Sequence, residues 1–156
     1  MRKALPLAAL LLTVLAAGFA TGCGKRTPDP SSAEVRDLVL QIVRNEYLDQ
    51  VSAACYKQIS GIPIDVLGMK VDHAWLVEKA KTEQAAKKTL QTVDEAMAKV
   101  QVTLENVRTD KVDKEVGRIE CSADAKVADA TDPITFTAQY NDKGELYVEV
   151  FGLGGR

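Results

Sequence analysis

GRIECSADAKV, residues 117–127, alternates without a break. Gly117, Ile119, Cys121, Ala123, Ala125 and Val127 are small or apolar, and Arg118, Glu120, Ser122, Asp124 and Lys126 between them are polar. A period of two places the first set on one face of a strand and the second on the other. A strand with one dry and one wet face belongs to an antiparallel sheet covered on one side only. The neighbouring segments repeat the pattern. Ile134, Phe136, Ala138 and Tyr140 form one further run, and Leu146, Val148 and Val150 another. NDKGE, residues 141–145, reads as the hairpin loop between those two. Val102 and Leu104 alternate upstream, and RTDKVDKE, residues 108–115, is expected to supply a polar turn. Four strands joined by short loops make an antiparallel meander.

Before Val100 the period is helical. Ser31 and Ser32 offer an N-cap, with Glu34 and Asp37 placed to suit the helix dipole. Val35, Leu38, Val39, Ile42 and Val43 recur at helical spacing, and Tyr47, Val51 and Cys55 continue a face in steps of four. This predicts one long amphipathic helix, or two joined near Asp49, with Cys55 near its end. A second helical region begins near Asp72, and in it Ala86, Leu90, Val93, Met97 and Val100 form a stripe expected to pack on the sheet. The fold class expected is α+β, with N-terminal amphipathic helices packed on one face of a four-stranded antiparallel meander.

The N-terminus carries a different kind of signal. Arg2 and Lys3 precede an uncharged run rich in Leu and Ala, and small residues lead to Cys23 in the stretch ATGC, residues 20–23. A basic start, an apolar stretch and small residues at the end have the organisation of a secretory signal peptide. ATGC followed by a polar segment resembles the lipobox of bacterial lipoproteins, although the usual Leu three before the cysteine is Ala20 here. The resemblance implies cleavage before Cys23, with covalent S-diacylglycerol and N-acyl lipid on Cys23 and no other cofactor. It further implies a domain held at the envelope surface. Gly24, where Asp would argue for inner-membrane retention, points to the outer membrane with the domain facing the periplasm. The alternative for this segment is an uncleaved membrane helix, which Pro6, Gly18 and Gly22 disfavour. The division that follows is 1–22 signal peptide, 23–32 lipidated cysteine and tether, and 33–156 a single α+β domain. The resemblance covers about the first 30 residues and does not extend to the domain.

Without Arg2 and Lys3 the chain holds 18 basic and 22 acidic residues, a net charge of −4. That balance carries no electrostatic footprint for nucleic acid. In an oxidising envelope compartment the two remaining cysteines, Cys55 and Cys121, most simply pair. The bond would close a loop of 66 residues (121 − 55) and contribute about 4 kcal/mol. The rival reading makes Cys55 a nucleophile with His73 as its base.

Catalytic signals are sparse. His73 is the only histidine, so a histidine-based metal centre is not expected, nor is any metal. Asp110 and Asp113 are the one carboxylate pair considered for hydrolysis, and both are expected to be solvated. Trp75 and Tyr47 are individually plausible binding aromatics, although Trp75, with Leu76 and Val77 beside it, is expected to pack against the helix before it. ISGIPIDVLGM, residues 59–69, is apolar, broken by Gly and Pro, and without clean period. Its residues Ile62, Pro63, Ile64, Val66, Leu67 and Met69 form the candidate binding loop, the alternative being a buried crossover.

The functional expectation is a non-catalytic binding or structural lipoprotein of the envelope, attached to the membrane by its lipid and engaging a protein partner. The alternative is a lipoprotein inhibitor of an envelope hydrolase, a lysozyme or a protease, and a third reading is a carboxylate-based hydrolase. An inhibitor predicts an exposed, rigid loop at Ile62–Met69, whereas an enzyme predicts a cleft gathering distant acidic residues. Cys23→Ser is expected to leave an uncleaved precursor that takes up no labelled fatty acid. Unchanged processing and labelling would contradict the lipobox.

Overall fold

The computed structural model describes residues 26–154. Cys23 and the apolar run before it lie outside the described residues. Three helices, α1 (Ala33–Ser60), α2 (His73–Lys79) and α3 (Gln84–Met97), precede four strands. These are β1 (Val102–Asp113), β2 (Arg118–Val127), β3 (Ala130–Tyr140) and β4 (Leu146–Phe151), antiparallel in the order β1-β2-β3-β4. The fold is α+β, with a helix covering one face of a four-stranded meander.

The alternation read in residues 117–127 sets the sheet's inner face. Ile119, Cys121, Ala123, Ala125 and Val127 are buried with Ile134, Phe136 and Ala138 of β3, and α1 closes over them with Val35, Val39 and Val43. The hairpin at NDKGE closes around Asn141, whose Oδ1 accepts from the backbone N–H groups of Lys143 and Glu145, both at 2.9 Å.

Helix α1 is one uninterrupted element of 28 residues, about 42 Å long at 1.5 Å per residue. Ser32 caps it, its Oγ accepting from the Val35 N–H at 3.3 Å. Gly61 ends it in the left-handed conformation, φ 70°, where a side chain would be strained. The buried side of α1 changes along its length. At about 100° per residue, Val35, Val39 and Val43 point together at the sheet. Ser52 and Tyr56, also buried, point about 120° away from that direction. There Tyr56 joins a second core with Ile64, Val71, Leu76, Ala86, Val93 and Met97.

Two expectations are thereby corrected. The α3 stripe packs in this helical core against α1 and α2 rather than on the sheet, and α3 is fastened to the middle of α1. There the Arg44 guanidinium donates to the Val100 and Met97 carbonyls at 3.0 and 3.1 Å, occupying acceptors that a helix C-terminus leaves open. The expected Cys55–Cys121 disulfide is also not made, and both thiols are free. Cys121 lies in the sheet core. Cys55 packs at the margin of the helical core, about 18 Å along α1 from Val43, and it points about 160° away from the sheet-facing side. A disulfide needs Cα atoms within about 7 Å, which this packing does not allow.

The segment RTDKVDKE is the third difference. Residues 108–113 continue β1 as an edge strand, and the turn falls later, at 114–117. Register shifts between Glu105 and Arg108 and between Thr109 and Lys111 break the alternation. Beyond Leu104 most of β1 is exposed on both faces, so no apolar periodicity marked it. Two such irregularities also blunt an exposed edge against pairing with another chain.

Asp113 and Arg118 of the first hairpin, Tyr140 and Leu146 of the last, and the start of α1 share one end of the sheet. The chain preceding α1 is docked there. Arg26 lies over the Tyr140 ring, 4.6 Å from its centre, Pro28 is buried, and Ser32 Oγ donates to the Asp29 carbonyl at 2.7 Å. The tether expected over 23–32 is therefore held to the domain from Arg26 onward.

Burial raises the Cys121 thiol above its ordinary range, with the nearby Asp110 charge adding to the effect and a hydrogen bond with Thr109 opposing it. Burial and the Glu83 hydrogen bond raise Tyr56 likewise. A folded state that holds a proton more tightly than the unfolded chain loses stability as pH rises past the unfolded value, about 8.5 for a thiol and 10 for a phenol. The urea midpoint is expected to be flat between about pH 6 and 8 and to fall above about pH 9. Cys121→Ala should flatten the first part of that fall; an identical alkaline slope in the variant would contradict the assignment.

Candidate functional site

Residues 61–70 join α1 to the second helical region and turn back on themselves. The Pro63 carbonyl accepts from the N–H groups of Val66 and Leu67 at 3.0 and 3.1 Å, and the Ile64 carbonyl accepts from Met69 at 3.0 Å. Gly68 sits at φ 62° with open space around its missing Cβ, so it is the backbone conformation that requires glycine there. Lys57 of α1 is paired with Asp65, and Ser60 Oγ accepts from the Ile62 N–H at 3.1 Å. These bonds fix the loop from within.

The six loop residues read from the sequence divide by burial. Ile64 is buried in the helical core, where it anchors the loop, and Ile62 packs against that core. Pro63 is exposed. Val66 and Leu67 are 84% and 61% exposed, and Met69 is exposed beside them. Neighbouring aliphatic residues turned this fully to water add little to the fold, and on this hydrogen-bonded turn they form a small exposed apolar patch. The charges on and beside the loop are internally matched: Lys57 with Asp65, and Lys70 with Asp72 at 3.5 Å.

The remaining candidates are placed as follows. His73 Nδ1 lies 3.4 Å from Ser52 Oγ, and the His73 backbone N–H donates to Asp49 at 2.8 Å. Ser52 is completely buried, so the pair clasps α1 to α2 and offers no exposed nucleophile. Cys55 packs at the margin of the same helical core as a free thiol. Asp72 caps α2 by accepting from the Trp75 N–H at 2.8 Å, and that bond is the chief cause of its lowered pKa. Trp75 packs edge-to-face on Tyr56 with ring centres 5.0 Å apart, and the Tyr56 hydroxyl donates to Glu83 at 2.8 Å. Tyr47 is half-buried between the two cores.

Asp110 and Asp113 are not brought together as an acid and a base. Asp110 accepts from Ser122 Oγ at 3.2 Å. Asp113 accepts from the N–H groups of Glu115 and Val116 at 3.1 and 3.2 Å, shaping the β1–β2 turn. Among the described residues no three His, Cys, Asp or Glu side chains gather where they could share a cation.

The outer face of the sheet carries no catalytic or binding motif in the sequence. It carries Arg118, Glu120 and Ser122 of β2 beside Thr135 and Thr137 of β3, with Tyr147 and Phe151 of β4 exposed at the edge. Two shallow hollows lie on it and share Thr135. The alternation of β2 had marked these residues as wet, but wetness alone does not separate a solvated face from a binding one. The chain matches no protein-family profile, no curated protein and no solved structure.

Proposed function

We propose that this protein is an outer-membrane lipoprotein with no catalytic role. On this reading it is anchored through Cys23 and faces the periplasm, where its loop Ile62–Met69 docks a second envelope protein. The observation that carries the reading is the tip itself: Val66 and Leu67 stand in water on a loop whose backbone is already hydrogen-bonded. Association then costs little ordering of the chain. A convex apolar tip of this size calls for a concave apolar site on the partner, with Leu67 and Val66 filling it as central anchors. The matched charges around the tip offer no net positive field, which argues for a protein cleft rather than an anionic lipid surface as the occupant.

The anchor gives the loop a direction. Because Arg26 is docked on Tyr140, only about 10 Å of chain separates it from Cys23. The sheet lobe would rest close to the lipid, and the tip would be carried away from it by the length of α1. The same rigid, protruding loop supports the second reading, inhibition of an envelope hydrolase by insertion into its cleft. The two readings differ in the partner, not in the surface.

A photo-crosslinking residue at Val66 is expected to give a discrete protein adduct in cells, and one at the exposed sheet residue Thr131 is not. Leu67→Asp should remove the adduct while leaving the urea midpoint unchanged within about 0.5 kcal/mol. Ile64→Ala, which leaves the tip chemistry intact but removes its anchor, should cost about 2 to 5 kcal/mol. Equal adducts from both positions, or adducts with lipid alone, would falsify the docking role. Loss of a purified partner's hydrolytic activity on binding would select inhibition.

A further inference from the structure

The outer face of the sheet contains an arrangement that neither the fold nor the loop explains. Beside the turn between β1 and β2, Arg118, Glu120, Asp110, Thr135, Thr137 and Phe151 line a hollow of about 310 Å³. Arg118 is one of the lining residues, and its Nε is buried with no hydrogen-bond partner among the described residues. A guanidinium N–H closed off from water and left unbonded is unfavourable. Its natural complement is a carboxylate: one entering the hollow would draw the side chain round to present its Nε–Nη edge, which grips such a group with two parallel bonds.

The groups around Arg118 refine the ligand. Glu120 lies two residues along β2 on the same outward face, and Lys111 reaches it only at 3.9 Å, too long for a hydrogen bond. Asp110, held by Ser122 at 3.2 Å, adds a second negative group. A simple anion would be attracted by Arg118 and repelled by both carboxylates. A zwitterion satisfies all three.

The spacing selects among zwitterions. Two residues along a strand advance about 6.8 Å, and a dipeptide in extended form spans about 7 Å. A dipeptide, rather than a single amino acid, matches that backbone spacing. The Thr135 and Thr137 hydroxyls lie on the adjacent strand, Thr137 opposite Glu120 in the register and Thr135 opposite Ser122. They can bond the ligand's central peptide group, and Phe151, half exposed and paired with Thr135, offers a ring for a short apolar side chain.

We infer that this hollow binds the free end-to-end zwitterion of a short peptide, with the carboxylate on Arg118 and the ammonium on Glu120 and Asp110. The site lies on the sheet lobe and is independent of the loop at the other end of α1.

The test is a chemical-shift titration of the full chain in detergent micelles with alanyl-alanine, N-acetyl-alanyl-alanine, alanyl-alanine amide and free alanine. Alanyl-alanine is expected to move the backbone amides of Arg118, Glu120, Thr135 and Thr137, with a Kd of about 1 mM. Capping either end, or shortening to free alanine, should weaken binding at least about tenfold, since each removes one charged contact. Arg118→Gln should weaken alanyl-alanine by about the same factor with the remaining amide spectrum unchanged. If that variant does not fold, Arg118→Lys, which keeps the charge and loses the fork, decides the matter and is expected to show the same loss. No shift with alanyl-alanine, equal shifts with both capped forms, or undiminished binding in the folded arginine variant would overturn the proposal.

Discussion

Helix α1 changes partners halfway along its length, and the rest of the molecule is arranged around that change. Its first half presents Val35, Val39 and Val43 to the sheet, and its second half presents Tyr56 to α2 and α3. Neither half has a core of its own without the other elements it covers. A sheet with one bare apolar face must be covered, and the short helix α2, of 7 residues, is too short to persist unless packed. One continuous helix meets both needs only because its buried side turns by about 120° between the two. Arg44, bonded to the carbonyls at the end of α3, ties the lobes together where the turn occurs.

That same geometry separates the two surfaces to which functions are assigned. The docked N-terminal segment and both strand-to-strand hairpin turns at that end lie by the start of α1, and the apolar tip lies beyond its end. If the chain is anchored as proposed, a surface near the attachment point is restricted to molecules small enough to reach it. A surface at the far end of a rigid helix meets large partners first. A small zwitterion for the sheet hollow and a protein cleft for the loop fit those positions.

The sheet's inner face was legible because alternation is a strong signal wherever one face is dry and the other wet, as in Ile119 to Val127. The end of β1 was not, because residues 108–113 run past the cover of α1 and are exposed on both sides, so burial imposed no pattern on them. Helix α1 was readable as a helix. Its partners were not, because steps of four residues describe a stripe that slowly winds around the axis. The winding misplaced Cys55: it lies in phase with Tyr47 and Val51 in the sequence, yet in space it faces away from the strand carrying Cys121. Ile62 to Met69 was recognisable as an aperiodic apolar stretch, while the division of labour between the buried Ile64 and the exposed Val66 and Leu67 depends on the turn at Gly68. Arg118 is one polar residue in an alternating strand, and only the structure shows its Nε closed off from water and unbonded.

The continuity of α1 is therefore the central claim, and a distance across it is the direct measurement. Spin labels at the exposed positions Asp37 and Gln58, with Cys55 and Cys121 replaced by alanine, report the helix from one lobe to the other by double electron–electron resonance. An unbroken helix predicts a single narrow distribution at about 32 Å between the labelled backbone positions, from 21 residues at about 1.5 Å each, broadened only by the label arms. A clearly shorter or two-peaked distribution would mean that α1 breaks near Asp49. It would contradict the shared-helix account of both cores and of the distance between the two surfaces.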